Sequence, residues 1–358
     1  MKIKIGINGF GRIGRSIFRN SILFDDVKTV AINDINPEIE NIVYLLKYDS
    51  LYGRLNKDIR IEKNHFSIDN NQVDVYHKEK IGNVPWAELG CDLVIEASGV
   101  HSLLDELPGL IDSGVNKVVV TYSPNTIIDN YIVLGANEET YSSTKHHIVS
   151  SSICDVVALA PVYKVIDDNY SILNGFLTTL HPWLAYQNLL DGSPQSWGYP
   201  GSLYGHYSLG RAATSSLILK PTSAISAADR ILPGIIDNMK CYSYRVPTAV
   251  VGAADLTLQT KKQTSKEEIL DIMQTEIQNQ NWPILFLNEE PLVSIDFTGT
   301  DYSAIIDVRW FEVINGNLIK MTLWYDNEFG YSRRVVDLSR FLFGLKPQIH
   351  LYEKNSLS

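Results

Sequence analysis

The residues "KIKIGINGFGRIGRSIFRN", Lys2 to Asn20, constrain the fold more than any other stretch of the chain. An apolar run breaks at glycine, and G-x-G-x-x-G at Gly9, Gly11 and Gly14 leads straight into helical spacing. In a strand–turn–helix unit the first glycine makes the tight turn, and the second lets backbone approach a pyrophosphate. The third allows close packing of helix on strand, with the helix N-terminus facing the phosphates. A glycine turn that binds nothing looks the same when the pattern stands alone. Here a second strand, "VKTVAIND", follows, and Asp34 ends it 20 residues after Gly14. A carboxylate there accepts from ribose hydroxyls and repels a 2′-phosphate, which favours NAD over NADP. Arg12 and Ile13 complete the candidate cofactor turn.

The alternation continues. "CDLVIEASG", "NKVVVTYSP" and "NYIVLGAN" read as short strands ended by glycine, proline or asparagine, and "HSLLDELPGLIDSG" reads as a helix between the first two. Strands alternating with helices predict a parallel, doubly wound sheet over about the first 150 residues. The pattern then changes. "SICDVVALAPVYKVIDDN" predicts a helix of small and apolar residues. The stretches "SILNGFLTTLH", "SYRVPTAVVGAADLTLQT", "LVSIDFTGTDYSAIIDV", "WFEVING" and "NLIKMTLWYD" are longer and alternating. They predict a mixed or antiparallel sheet in a second domain. "YSRRVVDLSRFLFGL" returns to helical spacing. The fold class is therefore α/β: a Rossmann-type unit followed by an α+β unit.

A chain of 358 residues has room for two such domains. Its net charge of −10 and pI of about 5.3 argue against nucleic acid or an anionic membrane as a general partner. Three cysteines, Cys91, Cys154 and Cys241, are too few and too scattered for a disulfide scaffold. No signal peptide is read at the N-terminus, and no apolar run approaches the roughly 18 residues that span a bilayer. A reducing cytoplasm is the expected location.

Two residues suggest covalent chemistry. A nucleophilic cysteine needs its thiolate, and a nearby histidine or helix N-terminus favours that form. Cys154 heads the predicted helix "CDVVALAPVYKV", and His181 closes the strand "NGFLTTLH" 27 residues later. A helix running out and a strand running back bring two such side chains together. A buried helix-start cysteine and a satisfied strand-end histidine explain the same residues equally well. The pair His146–His147 reads as loop polarity, because no cysteine or carboxylate cluster sits at ligand spacing beside it, and no metal is expected.

Longer stretches carry a resemblance. "IKIGINGFGRIGR", "VAIND", "LLKYDSLYGR", "VVALAPVYKV", "LLDG", "YRVPT", "DLTLQT" and "WYDNEFGYSRRVVDL" are similar to the glyceraldehyde-3-phosphate dehydrogenase family over roughly residues 1 to 343. The resemblance implies a two-domain homotetramer that uses NAD. Residues 1–152 would form the cofactor domain, completed by a C-terminal helix at about 328–345. Residues 153–327 would form the catalytic and oligomerisation domain, with 346–358 as a tail. It also implies a mechanism: a cysteine attacks an aldehyde, hydride passes to NAD, and phosphate releases the resulting thioester as an acyl phosphate. Cys154 falls on the family nucleophile and His181 on its activating histidine. Asn327 falls on the residue that orients the nicotinamide carboxamide, with Tyr331 beside it.

The departures cluster around the cysteine. The family carries a Ser-Cys-Thr-Thr-Asn run where this chain reads "ICDVV", so Ile153 and Asp155 replace hydroxyls that help bind inorganic phosphate. A further family motif, Ser-Thr-Gly, aligns here with Ser223, Ala224 and Ile225. On the substrate's own phosphate, "HPWLAYQ" puts Leu184 and Tyr186 in place of a threonine and an acidic residue. Arg245 in "YRVPT" remains, able to hold a carboxylate or phosphate or to make a structural ion pair. Asp155, Trp183 and Arg245 are the substrate-side candidates. The loop "SPQSWGYPGSLYGHYSLG" after "LLDG" is longer than usual, with aromatics suited to stacking or to a subunit contact. Three readings follow: an aldehyde dehydrogenase with altered substrate and acceptor, an ordinary phosphorylating member of the family, or a catalytically silent NAD-binding protein.

Overall fold

The computed structural model describes residues 2–69, 71–126 and 128–348. The tail expected over 346–358 lies outside the described residues from 349 onward. The described residues divide into two compact units: one within 2–131, 141–151 and 332–347, the other within 132–140, 152–331 and 348.

In the first unit the strand Ile3–Asn8 sits between Val27–Asn33 and Leu93–Glu96, parallel to both. Its alternate isoleucines, Ile3, Ile5 and Ile7, are fully buried, as expected of a central strand covered on both faces. The sheet continues in parallel through Lys117–Val120, Ile148–Ser150 and Asn130–Tyr131 on one side, and to Asn71–Tyr76 on the other. Sheet order reverses direction at Ile3–Asn8, which makes the end of that strand the switch point where α/β sheets bind ligands.

Two features depart from the sequence expectation. The sheet is not wholly parallel, because Ile59–Glu62 and His65–Ile68 close its edge as antiparallel hairpins. "NYIVLGAN" gives only the two-residue strand Asn130–Tyr131. Ile132, Val133 and Leu134 leave the sheet and are buried with the second unit. Apolar burial alone does not distinguish a strand from a packed loop.

The second unit is built on a mixed sheet. Its strands run Ile218–Lys220, Met239–Val246, Ile172–Pro182, Gly252–Thr260, Leu318–Tyr325, Ala304–Asp307 and Leu285–Asn288, with Glu312–Ile314 pairing on Leu318–Tyr325. Alternation sorts residues by face. Leu177, Thr179 and His181 point inward with Ser243, Arg245 and Ile218, while Phe176, Leu180, Tyr242 and Leu219 point outward and are exposed. The stretch "LVSIDFTGTDYSAIIDV" is strand only at Ala304–Asp307; a short 3-10 turn, Ser294–Phe297, and a loop precede it. Asp326 Oδ2 holds that loop by accepting from Gly299 N at 2.7 Å.

The helix Cys154–Tyr170 is buried almost all round, which is why its apolar residues show little amphipathic spacing. It even keeps Pro161 in its interior, where burial outweighs a lost backbone hydrogen bond.

Candidate active site

The glycine turn divides its three roles clearly. Gly9 has φ of +85° and lies against the backbone of Ser98, so a side chain there is excluded twice over. A Cβ on Gly14 would collide with the carbonyl oxygen of Gly9, which confirms close helix–strand packing. A Cβ on Gly11 meets nothing within 4 Å. Gly11 is also the N-cap of the helix Arg12–Ser21 and makes no side-chain cap, so open space lies before the helix N-terminus. That arrangement fits a dinucleotide pyrophosphate.

Asp34 Oδ2 accepts from Phe10 N at 2.6 Å, and Oδ1 from Asn36 N at 2.9 Å. The carboxylate is thereby fixed at the strand end beside the turn. Arg12 pairs with Asp49 at 2.6 Å, which holds the Asp49 carboxyl below its usual range against burial that raises it. Ile13 is half-buried. Beneath the turn, buried Glu96 accepts from the Asn8 side chain and from Ser98, and burial pushes its carboxyl up to about 7.

In the second unit the segment leading to Cys154 is drawn tight before its helix begins. Ser152 takes a positive φ of 60°, and the Tyr331 hydroxyl donates to its carbonyl at 3.0 Å. Cys154 is the first residue of the helix, and Sγ lies 3.5 Å from Nε2 of His181 and 3.8 Å from Oδ1 of Asp155. The other ring nitrogen of His181, Nδ1, donates to the carbonyl of Pro182 at 2.7 Å. That bond assigns the tautomer and leaves Nε2 as an acceptor for the thiol proton.

Burial drives the ring down to about 4, helped by the positive Arg245 and opposed by Asp155. His181 is therefore neutral near pH 7. Burial also raises the thiol well above the ordinary cysteine range; Asp155 adds to this and Arg245 opposes it. The helix N-terminus and the histidine do not give a standing thiolate, contrary to the simplest sequence expectation. The pair suits proton transfer during attack, with His181 as base.

Charge surrounds this pair. Arg245 stands opposite His181 in the parallel register and is buried; its closest hydrogen bond goes to Ser243 Oγ at 3.4 Å. Its Nε has no hydrogen-bond partner, and it makes no ion pair among the described residues. The Tyr325 hydroxyl donates to Asp155 Oδ1 at 2.6 Å. Lys220 pairs opposite Ser243 and so shares the inward face with Arg245. Its amine is pushed down to about 8, first by burial and then by Arg245, with Asp155 opposing. Sequence reasoning missed Lys220 and Tyr325. The lone cation ending the apolar run "SLILK" was the only hint of the first.

The remaining candidates spread more widely. Asn327 Oδ1 accepts from Val251 N at 3.1 Å, so the amide NH₂ is the end left to meet a ligand. Trp183 is half-buried, its backbone bonded to Thr248. Tyr186 packs on Tyr204 with ring centres 5.0 Å apart, tying the long loop to the segment after His181, while Trp197, Tyr199 and Tyr207 stay exposed. Ala224 and Ile225 are helical core, with Thr222 and Ser223 immediately before them. The loss of hydroxyls is thus complete at 153 and 155, whereas hydroxyls persist at the start of this short helix. Cys154, Asp155 and His181 place ligand-type atoms within 4.8 Å of one another, a set able to hold a thiophilic ion.

A dinucleotide-binding unit joined to a mixed-sheet unit with a cysteine–histidine pair defines an NAD-dependent oxidoreductase. Family profiles match both parts: "Glyceraldehyde 3-phosphate dehydrogenase, NAD binding domain" over residues 3–103, and the C-terminal domain of the same enzyme over residues 153–327. The chain belongs to the glyceraldehyde-3-phosphate dehydrogenase family. A relative named glyceraldehyde-3-phosphate dehydrogenase from Sclerotinia sclerotiorum is 36% identical over 339 residues, covering 95% of this chain and 97% of the relative. One of that name from Geobacillus stearothermophilus is 34% identical over 344 residues, covering 96% and 98%. The cofactor is NAD. No helix among the described residues is long and apolar enough to cross a membrane.

Proposed function

We propose that this protein oxidises an aldehyde through a thioester on Cys154, with a substrate and an acyl acceptor different from those of the triose-phosphate enzyme. The observation that carries the covalent step is the 3.5 Å approach of Cys154 Sγ to His181 Nε2, in a tautomer fixed by Pro182. Sulfur attacks the aldehyde carbon as His181 takes the thiol proton, and the hemithioacetal forms. Bound NAD supplies the hydride acceptor. The glycine turn holds the dinucleotide in this reading, the Asn327 amide NH₂ is offered to a ligand, and Tyr331 steadies the nucleophile segment through Ser152.

The altered acceptor rests on what surrounds sulfur. Ile153 offers no hydrogen bond, and Asp155 sets a buried carboxylate where an attacking phosphate dianion would stand. Each hydrogen bond lost to a charged group costs about 1.5–3 kcal/mol. Leu184 and Tyr186 likewise leave a phosphorylated substrate without its polar partners. Arg245, buried with its Nε unpaired, still favours an anionic group on the aldehyde.

The chain works as a homotetramer in this proposal. Exposed Phe176, Leu180, Leu219 and Tyr242 form an apolar face on one side of the mixed sheet, of the kind that subunits cover. The test is purified protein with NAD and a panel of aldehydes, with and without inorganic phosphate. NADH formation independent of phosphate is expected. No NADH with any aldehyde, together with no acyl adduct on Cys154, overturns the reading.

A second reading has its own support: the relatives carry the plain family name at about 35% identity along the whole chain. Under it, Thr222, Ser223, Lys220 and Arg245 rebuild a phosphate site. Turnover of glyceraldehyde 3-phosphate that requires phosphate would establish it.

A further inference from the structure

We propose that Asp155 is the general base that directs water onto the Cys154 thioester, so that the acyl group leaves as a free carboxylic acid. This rests on the covalent role of Cys154 proposed above and adds a residue and a product to it. Three observations converge on that carboxylate.

The first is position. Asp155 Oδ1 lies 3.8 Å from Sγ, so a water held by this carboxylate stands within attacking range of a carbonyl carbon bonded to that sulfur. The second is orientation. The Tyr325 hydroxyl binds Oδ1 at 2.6 Å and fixes the group, which leaves Oδ2 to take a proton. The third is the surroundings. Arg245 and Lys220 reach the same inward face of the sheet, from a strand pair whose register sets Lys220 opposite Ser243 and Ile218 opposite Arg245. Cations there balance the negative charge that develops as water attacks.

The step balances without any further reactant. A water O–H bond breaks, its proton goes to Asp155 Oδ2, and its oxygen bonds to the acyl carbon. The tetrahedral adduct collapses, the carbon–sulfur bond breaks, and sulfur leaves as thiolate. The thiolate then recovers the proton from Asp155. Thioester and water become carboxylic acid and thiol, with no change in oxidation state. His181 is spared for the acylation half, where its neutral Nε2 is needed.

The experiment avoids the unknown aldehyde. 4-Nitrophenyl acetate, an activated ester, acylates a reactive thiol without cofactor and reports each release as 4-nitrophenolate. The wild-type protein is expected to give a burst equal to the Cys154 content, then a steady rate that inorganic phosphate does not change. Asp155→Asn should keep the burst amplitude, which also shows that the variant folds. Its steady rate should fall by about 100-fold or more, the range for loss of a general base. Formate added to Asp155→Ala should restore part of that rate, and Tyr325→Phe should lower it several-fold with the burst intact. A steady rate in Asp155→Asn close to wild type, beside an unchanged burst, overturns the role of Asp155 and leaves the nucleophile standing. Phosphate acceleration with acetyl phosphate as product overturns it too. Absence of any burst or acetyl adduct in the wild type removes Cys154 itself, and the proposal with it.

Discussion

Replacing His181 with asparagine tests whether burial really keeps that ring neutral. In the unfolded chain a histidine titrates near 6.5, whereas burial and Arg245 bring this one down to about 4 in the folded chain. As pH falls below 6.5, the unfolded state takes up a proton that the folded state refuses. Folded stability therefore drops as pH falls, and the drop is complete only once pH passes the folded value. Each pH unit in that window is worth about 1.4 kcal/mol, so the loss between 6.5 and 4 is roughly 3 kcal/mol. Against a total of about 5–15 kcal/mol for an ordinary domain, that is easily measured. His181→Asn has no such proton to refuse. The stability difference between wild type and variant should shrink by roughly 3 kcal/mol from about pH 7 to about pH 4. Urea unfolding followed by tryptophan fluorescence, at one protein concentration throughout, measures it. Parallel stability curves would refute the reasoning, because the ring would then titrate like a solvated one. Alkylation of Cys154 by iodoacetamide gives an independent check: its rate should climb toward alkaline pH with no step near 6.5.

Four other outcomes follow from separate parts of the molecule. Gly11→Ala should leave thermal stability unchanged and weaken NADH binding, measured by fluorescence titration, since the new methyl meets only open space where the cofactor would lie. Gly14→Ala should destabilise the fold itself, because its methyl would strike the Gly9 carbonyl. Asp337 is fully buried among Arg333, Arg334 at 2.6 Å and Arg340, so Asp337→Ala should cost about 3–5 kcal/mol in urea unfolding by removing the carboxylate these buried cations share. Phe176→Asp combined with Leu180→Asp should shift the assembly to smaller species in size-exclusion chromatography with light scattering, if the outward face of the mixed sheet is a subunit contact.

Much of this was legible along the chain because the signals are local. "GINGFGRIG" dictates a strand, a turn with positive φ at Gly9 and a helix N-terminus, all within a few residues of one another. Cys154 and His181 stand at a helix start and a strand end, and alternation along "ILNGFLTTLHP" already separates His181 from exposed Phe176 and Leu180. Motif spacing carried the family.

The rest required residues distant in sequence. Lys220 joins the site through a three-residue edge strand whose register with Met239–Val246 no periodicity announces. Tyr325 reaches Asp155 across 170 positions. "NYIVLGAN" left its expected sheet because apolar residues need only burial, and the second unit supplies it. The proton affinities could not be read either. Desolvation depends on everything packed around a group, so the same Cys–His pair is an ion pair in one setting and a neutral thiol beside a neutral ring in another. Sequence by itself marked Cys154 and His181 as candidates for the chemistry; the tertiary structure decided their proton affinities, because only packing removes water from them.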